Sequence, residues 1–253
     1  MGVFMNPASV YLLQVVLNWS HVLAPAVPLA LVAVRTTRTD RLRNLWLLPA
    51  LFLLEMACVL SPRAPFLPAG WNWQGKFLEC LWVLAFVATG YAGNYADFGF
   101  RRRLAAGAGR PLLLAAALGL CFPIFGLFVA GFRMPTDVET FLFELTMPGL
   151  AEELVFRGVF QSLLNQVFGR PWRLLGTQVG WGYVLTTLLF TAAHGIFVNR
   201  ALHPQFSAFS MLPGLYAGLI LGWMRERGES LWPCVLLHNS MDTALVVGSA
   251  LLS

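Results

Sequence analysis

The chain has 253 residues, of which 58% are hydrophobic and only 11% charged, far below the roughly 25% charge of a soluble domain. Its mean hydropathy of +0.68 argues against a soluble protein of one or two domains, the alternative that length alone would allow. The net charge of +5 comes from short basic clusters between apolar runs, with no basic face, so nucleic acid is excluded as a partner.

In chain order, eight apolar runs read as candidate spans: Tyr11–Val34, Leu45–Leu60, Trp73–Tyr91, Pro111–Phe132, Phe141–Phe168, Leu174–Phe197, Phe206–Met224 and Leu231–Leu252. Several approach the ~20 residues that a membrane core demands of a helix. Barrel strands would alternate apolar and polar over about ten residues, whereas these runs are longer and apolar all round. The expected fold is therefore an all-α, polytopic transmembrane helical bundle of about eight helices. No Lys or Arg precedes Arg35, so the first run lacks the basic flank of a cleaved leader and is expected to stay. Thr136-Asp-Val-Glu139 has the spacing of a capping box, and Pro148-Gly149 reads as a break. A helix at 136–147 would then be interfacial, with the true span starting near Leu150. Pro123 is expected to kink the fourth span. Gly214-x-x-x-Gly218-x-x-x-Gly222 forms a small-residue ridge for close helix approach, and Gly176-x-x-x-Gly180 is read the same way. The chain divides at 135/136, with residues 1–135 as N-terminal spans and 136–253 as the functional core of one integral-membrane domain.

Charge sets the expected orientation. Arg35, Arg38, Arg41 and Arg43, then Arg101, Arg102, Arg103 and Arg110, then Arg170 and Arg173, then Arg225 and Arg227 occupy alternate connections. The intervening ones hold only Arg63, Lys76, Arg133 and Arg200. The positive-inside rule puts the rich loops in the cytoplasm and both termini outside. Trp71, Trp73, Tyr91 and Tyr95 sit where an aromatic belt belongs. Cys58, Cys80, Cys121 and Cys234 lie in apolar runs without metal-ligand spacing and read as small buried hydrophobes.

Ionisable residues at membrane depth cost roughly 2.5–3.5 kcal/mol each on insertion scales and mark function by default. The densest group is Ala151-Glu-Glu-Leu-Val-Phe-Arg-Gly158. Glu153 and Arg157 stand four apart, acid first, the favourable order for a pair on one helix face. Glu152 lies about 100° round the helix from Glu153 and five residues from Arg157, so no neighbour in sequence supplies it with a cation. A buried carboxylate in that situation suits general acid–base work near neutral pH. His194 lies in Phe190-Thr-Ala-Ala-His194. His238 and Asp242 stand four apart in a third apolar segment, where an aspartate either fixes the tautomer of a histidine or joins it on a metal. Two His, a Glu and an Asp from three helices could converge on one water, made nucleophilic by a base or by Zn²⁺. The bland readings are a structural salt bridge for Glu153–Arg157 and a self-satisfied pair for His238–Asp242. Glu55, Glu79, Glu144, His21 and His203 are weaker candidates.

Together, Glu152, Glu153 and Arg157, then Phe190 and His194, then His238 and Asp242 resemble the EExxxR, FxxxH and HxxxN/D pattern of the CPBP intramembrane proteases. That family includes the type II CAAX prenyl endopeptidases. The resemblance covers roughly residues 146–245. It implies peptide-bond hydrolysis in or beside the membrane, with Glu152 and His194 activating water, His238 and Asp242 serving the oxyanion, and Glu153 and Arg157 holding the site together. The prenyl endopeptidases carry an asparagine where this chain has Asp242. An amide can donate to an oxyanion and an ionised carboxylate cannot, so Asp242 orients His238, carries a proton or binds metal. A glutamate-type mechanism without cofactor is the preferred reading, since His194 and His238 lack the HExxH pairing of zinc proteases. The metal alternative would use Glu152, His194, His238 and Asp242 on Zn. The expected partners are membrane lipid and a peptide, lipidated or transmembrane protein substrate. The loop charges put Glu152 and His194 in the outer half of the bilayer, and sixteen Arg against one Lys point to a bacterial inner membrane, so prenylated substrates are not assumed. The competing readings are a non-catalytic immunity or scaffold protein that binds a peptide in the same cavity, and an ion or proton transporter. Against the transporter stand the lack of a visible repeat and the clustering of the acids on one helix.

Overall fold

Asn6 opens the first helix. Its side chain accepts the Ala8 N–H at 2.9 Å, and Pro7 occupies the first turn, where a missing N–H costs nothing. The computed structural model describes residues 6–37, 45–61 and 70–253; the charge calls on Arg38, Arg41, Arg43 and Arg63 lie outside them. Helix α1 (Pro7–Leu23) passes through a 3₁₀ turn at Ala24–Ala26, which contains Pro25, into α2 (Val27–Thr36), whose first turn holds Pro28. Helices α3 (Leu47–Val59), α4 (Trp73–Ala88) and α5 (Gly109–Phe128) follow. Helix α6 (Val138–Glu153) runs through a π-helical turn at Leu154–Phe160 into α7 (Gln161–Phe168). A hairpin of β1 (Trp172–Leu174) and β2 (Thr177–Val179) leads to α8 (Trp181–Gly195). A second, β3 (Ile196–Val198) with β4 (Pro204–Phe206), leads to α9 (Ala208–Gly228), and α10 (Trp232–Leu251) closes the chain.

Each expected span thus has its helical run, and the chain is an all-α polytopic transmembrane bundle. Pro7–Thr36, Gly109–Phe128 and Trp232–Leu251 are each long and apolar enough to cross a membrane unaided. The middle of the α6–α7 run is buried on every side, including all seven residues of the π turn. Large apolar side chains such as Leu113, Phe128, Val129 and Leu236 are instead exposed on the periphery. An apolar surface of this extent marks a membrane-facing protein.

Several expectations need correction. Pro148-Gly149 does not break the helix, because the Asn239 side chain from α10 accepts the Gly149 N–H at 2.7 Å. The N-cap of α6 is Asp137, one residue later than the capping box implied. Its carboxylate accepts the Thr140 N–H and hydroxyl, which hold it below the usual carboxylate range. Glu139 reaches across the chain instead and accepts the Gly70 and Trp71 N–H groups and the Trp73 indole N–H. Gly176 and Gly180 are not on a helix. Leu175 and Gly176, with φ of 48° and 78°, form the tight β1–β2 turn, where both central residues need positive φ. Pro123 lies inside α5 without ending it.

The ridge on α9 is as expected. A Cβ on Gly214 would lie 3.0 Å from His194, on Gly218 3.1 Å from Thr187, and on Gly222 2.9 Å from Tyr183. Three successive turns of α9 therefore rest on α8 with no side chain between. Gly218→Leu should drive the two helices apart at an overpacking cost of about 1–3 kcal/mol. The readout is a lowered thermal-unfolding midpoint in detergent; an unchanged midpoint would mean that this contact does not hold α8 to α9.

Candidate active site

Glu153 ends α6 at the point where the helix widens. A π turn disturbs the regular ladder, and such turns recur at functional sites. Arg157, within this turn, lies back on Glu153, with Nε 3.2 Å from Oε2 and both side chains at most 1% exposed. The Arg157 guanidinium also lies 4.1 Å from the centroid of the Phe190 ring, a cation–π contact worth about 0.5–2 kcal/mol. Its Nη1 and Nη2 have no hydrogen-bond partner among the described residues. The expected pair is therefore present and fully buried.

The second Glu153 oxygen holds His238. Nδ1 of His238 is 2.9 Å from Oε1, and facing a carboxylate it is the donor. That assignment turns Nε2 towards Asp242 Oδ2 at 3.4 Å, on the next turn of α10, and towards Glu152 Oε2 at 3.9 Å. The expected His238–Asp242 pairing is present, but Glu153 grips the ring more closely than Asp242 does.

His194 occupies the last turn of α8. Its Nδ1 donates to the Phe190 carbonyl at 2.8 Å, since a carbonyl can only accept; Nε2 is left for other work. The Phe190 ring lies 4.4 Å from the His194 ring and 5.9 Å from the His238 ring. One aromatic side chain thus spaces both histidines and covers Arg157, which gives the Phe of the FxxxH segment its physical task. The exposed face of His194 opens on a cavity of about 290 Å³. His238 and Asp242 line the same cavity, whose remaining wall is apolar, with Phe122, Phe125, Phe209 and Met241.

Two contributors have no signal in local sequence. Asn239 accepts from Gly149 and donates to the Thr146 carbonyl at 3.2 Å, so it pins α10 to α6 beside His238. Lys76, on α4, reaches Glu152 Oε1 at 3.0 Å and Glu79 Oε2 at 3.1 Å. Glu152 therefore has a cation, contrary to the expectation from its neighbours in sequence. The lysine stands 76 positions earlier, and no periodicity within one helix could reveal it.

Of the weaker candidates, Glu79 pairs with Lys76, and Glu55 is buried with Oε2 unpartnered among the described residues. Glu144 is buried. His21 is spent on the Leu17 carbonyl at 2.7 Å, and His203 lies in the connection between β3 and β4. All four cysteines are free thiols, but Cys121 is exposed rather than buried.

Among the described residues, no three His, Cys, Asp or Glu side chains are grouped as a metal would require. Both histidines commit Nδ1 within the protein.

No solved structure matches the chain. One curated relative, Aquaporin NIP3-1 of Arabidopsis thaliana, is 29% identical over 76 residues, covering 27% of this chain and 24% of that protein. The chain thus spans about a quarter of the length of that relative. A profile of the family described as type II CAAX prenyl endopeptidase Rce1-like matches residues 134–244. Those residues contain Glu152, Glu153, Arg157, His194, His238 and Asp242, and over them the chain is similar to the Rce1-like type II CAAX prenyl endopeptidases.

Proposed function

We propose that the protein is an intramembrane endopeptidase that hydrolyses a peptide bond in a membrane-associated, lipidated or transmembrane substrate by a glutamate-type mechanism. The observation that carries this reading is the meeting of Glu152, His238 and Asp242 within 3.9 Å of one imidazole nitrogen, beside the same apolar cavity that His194 faces. In this mechanism a water bound between Glu152 and His194 loses a proton to the carboxylate as its oxygen attacks the scissile carbonyl. His238, fixed by Glu153, donates from a protonated Nε2 to the oxyanion. Asp242 orients that ring and does not itself donate, which accommodates a carboxylate where relatives have an amide. The proton taken by Glu152 passes to the leaving amine. Apolar walls suit a substrate presented from lipid, and the exclusion of bulk water by such a substrate strengthens the electrostatic contacts at the polar end.

The test is cleavage of a panel of lipidated and transmembrane peptides by purified protein in nanodiscs. Glu152→Gln should lower kcat by about 10²–10⁴-fold, the usual worth of a general base. A strong chelator should leave the wild type active; loss of cleavage on chelation would replace the glutamate-type mechanism with a metal-dependent one. If Glu152→Gln cleaved like the wild type, the assignment of the base would fail.

Glu153 is assigned the supporting role. Its loss leaves Arg157 buried without a counter-charge, a change worth about 3–5 kcal/mol in comparable buried pairs. Glu153→Ala should therefore sharply lower the unfolding midpoint in detergent as well as activity, whereas Glu152→Gln should lower activity while the protein stays folded. Equal midpoints for Glu153→Ala and wild type would contradict the division of labour between the two glutamates.

A further inference from the structure

The chain has a single lysine among its seventeen basic residues, and that lysine touches the carboxylate assigned as the base. Lys76 Nζ lies 3.0 Å from Glu152 Oε1 and 3.1 Å from Glu79 Oε2, with side-chain exposures of 13%, 18% and 0%. The other Glu152 oxygen, Oε2, is the one turned to His238. The lysine thus holds the back of the carboxylate while its front stays open to the imidazole.

Nothing about this contact is left to a wandering side chain. Asn72 caps α4 by accepting the Gly75 N–H at 3.0 Å, and it donates to the Val59 carbonyl of the preceding helix at 2.8 Å. A Cβ on Gly75 would sit 2.5 Å from the Cys58 carbonyl oxygen, so α3 and α4 meet closely one residue before Lys76. Glu139 binds residues 70, 71 and 73 to the first turn of α6, the helix that ends at Glu152 and Glu153. Glu79, one turn beyond Lys76, is fully buried and anchors the ammonium from behind. An ammonium is a compact charge with three donors on a flexible stem; one donor serves each of two carboxylates on different helices.

We infer that Lys76 is a positioning residue for catalysis, clamping one Glu152 oxygen so that the other is presented to His238 and the attacking water. The inference rests on the endopeptidase reading, and it places a working part of the site on α4, outside the matched residues 134–244. A misplacement of about 1 Å at a reacting group can cost about 10²-fold in rate. Lys76→Met should therefore lower kcat by about 10²-fold with KM nearly unchanged, and Lys76→Arg should recover part of the loss. In a Glu152→Gln background the same Lys76→Met change should have little further effect, because the group it positions is already gone. If Lys76→Met fails to accumulate, Lys76→Met with Glu79→Gln removes the lysine together with the carboxylate it would strand, and the same kcat loss is expected. The inference is overturned if a folded Lys76→Met, or the double variant where that is needed, cleaves with wild-type kcat. It is also overturned if Lys76→Met lowers the residual rate of Glu152→Gln as much as it lowers that of the wild type. A wild-type protein that cleaves nothing in the panel counts against the endopeptidase reading and takes the role of Lys76 with it. Cleavage by wild type and Lys76→Met alike removes only Lys76.

Discussion

The Glu153 carboxylate holds Arg157 with one oxygen and His238 with the other, at a depth where its side chain has no exposure. An ion in so apolar a place is tolerable only if it is paired and hydrogen-bonded. Each member therefore fixes the next. Arg157 is sandwiched between Glu153 and the Phe190 ring. His238 has its ring orientation set, and Nε2 is delivered to Glu152, Asp242 and the cavity. Three runs of helix, α6 with its π turn, α8 and α10, meet at this one carboxylate and the aromatic ring beside it. The chemistry proposed for Glu152 depends on its neighbour carrying that burden, which is why two adjacent glutamates can hold different roles.

Close helix approach makes the meeting possible. The Gly214, Gly218 and Gly222 ridge lets α9 lie against α8, and its first glycine touches His194 itself. Gly149 gives α10 the same access to α6, and there the Asn239 side chain takes a backbone N–H in the turn that Pro148 disturbs. Small residues do in this bundle what the hydrophobic effect does in water: they allow enough dispersion contact to hold helices that lipid would otherwise solvate equally well. The same packing leaves a pocket between α5, α9 and α10 whose polar end carries His194, His238 and Asp242. An apolar substrate segment and a confined water could meet there.

Much of this was legible in the residues. Run length and hydropathy located each helical run among the described residues, because only internally bonded helices can cross lipid in a chain of this composition. Glu153 with Arg157 and His238 with Asp242 were readable because residues four apart share a helix face. The tandem glycine ridge was readable for the same reason. The failures also have causes. Gly176 and Gly180 have ridge spacing but belong to a hairpin, since spacing does not tell a positive-φ turn from a helix surface. Pro148-Gly149 looked like a break because its rescue comes from Asn239, 90 residues away. Glu139 looked like a capping partner because local sequence could not show the N–H groups of residues 70 and 71 waiting for it.

The sequence by itself determined that the chain is a helical membrane bundle, that Glu152, Glu153, Arg157, His194, His238 and Asp242 are costly ions within it, and that Glu153 can pair with Arg157, and His238 with Asp242, on one helix. Each of these follows from composition or from the 3.6-residue period. Only the tertiary structure decided which ion meets which across helices. Glu153, rather than Asp242, grips His238 most closely; Phe190 spaces both histidines; and Lys76 serves Glu152. These contacts depend on how helices distant in sequence are turned and offset against one another. That is set by the summed packing of the bundle, to which no single segment holds the key.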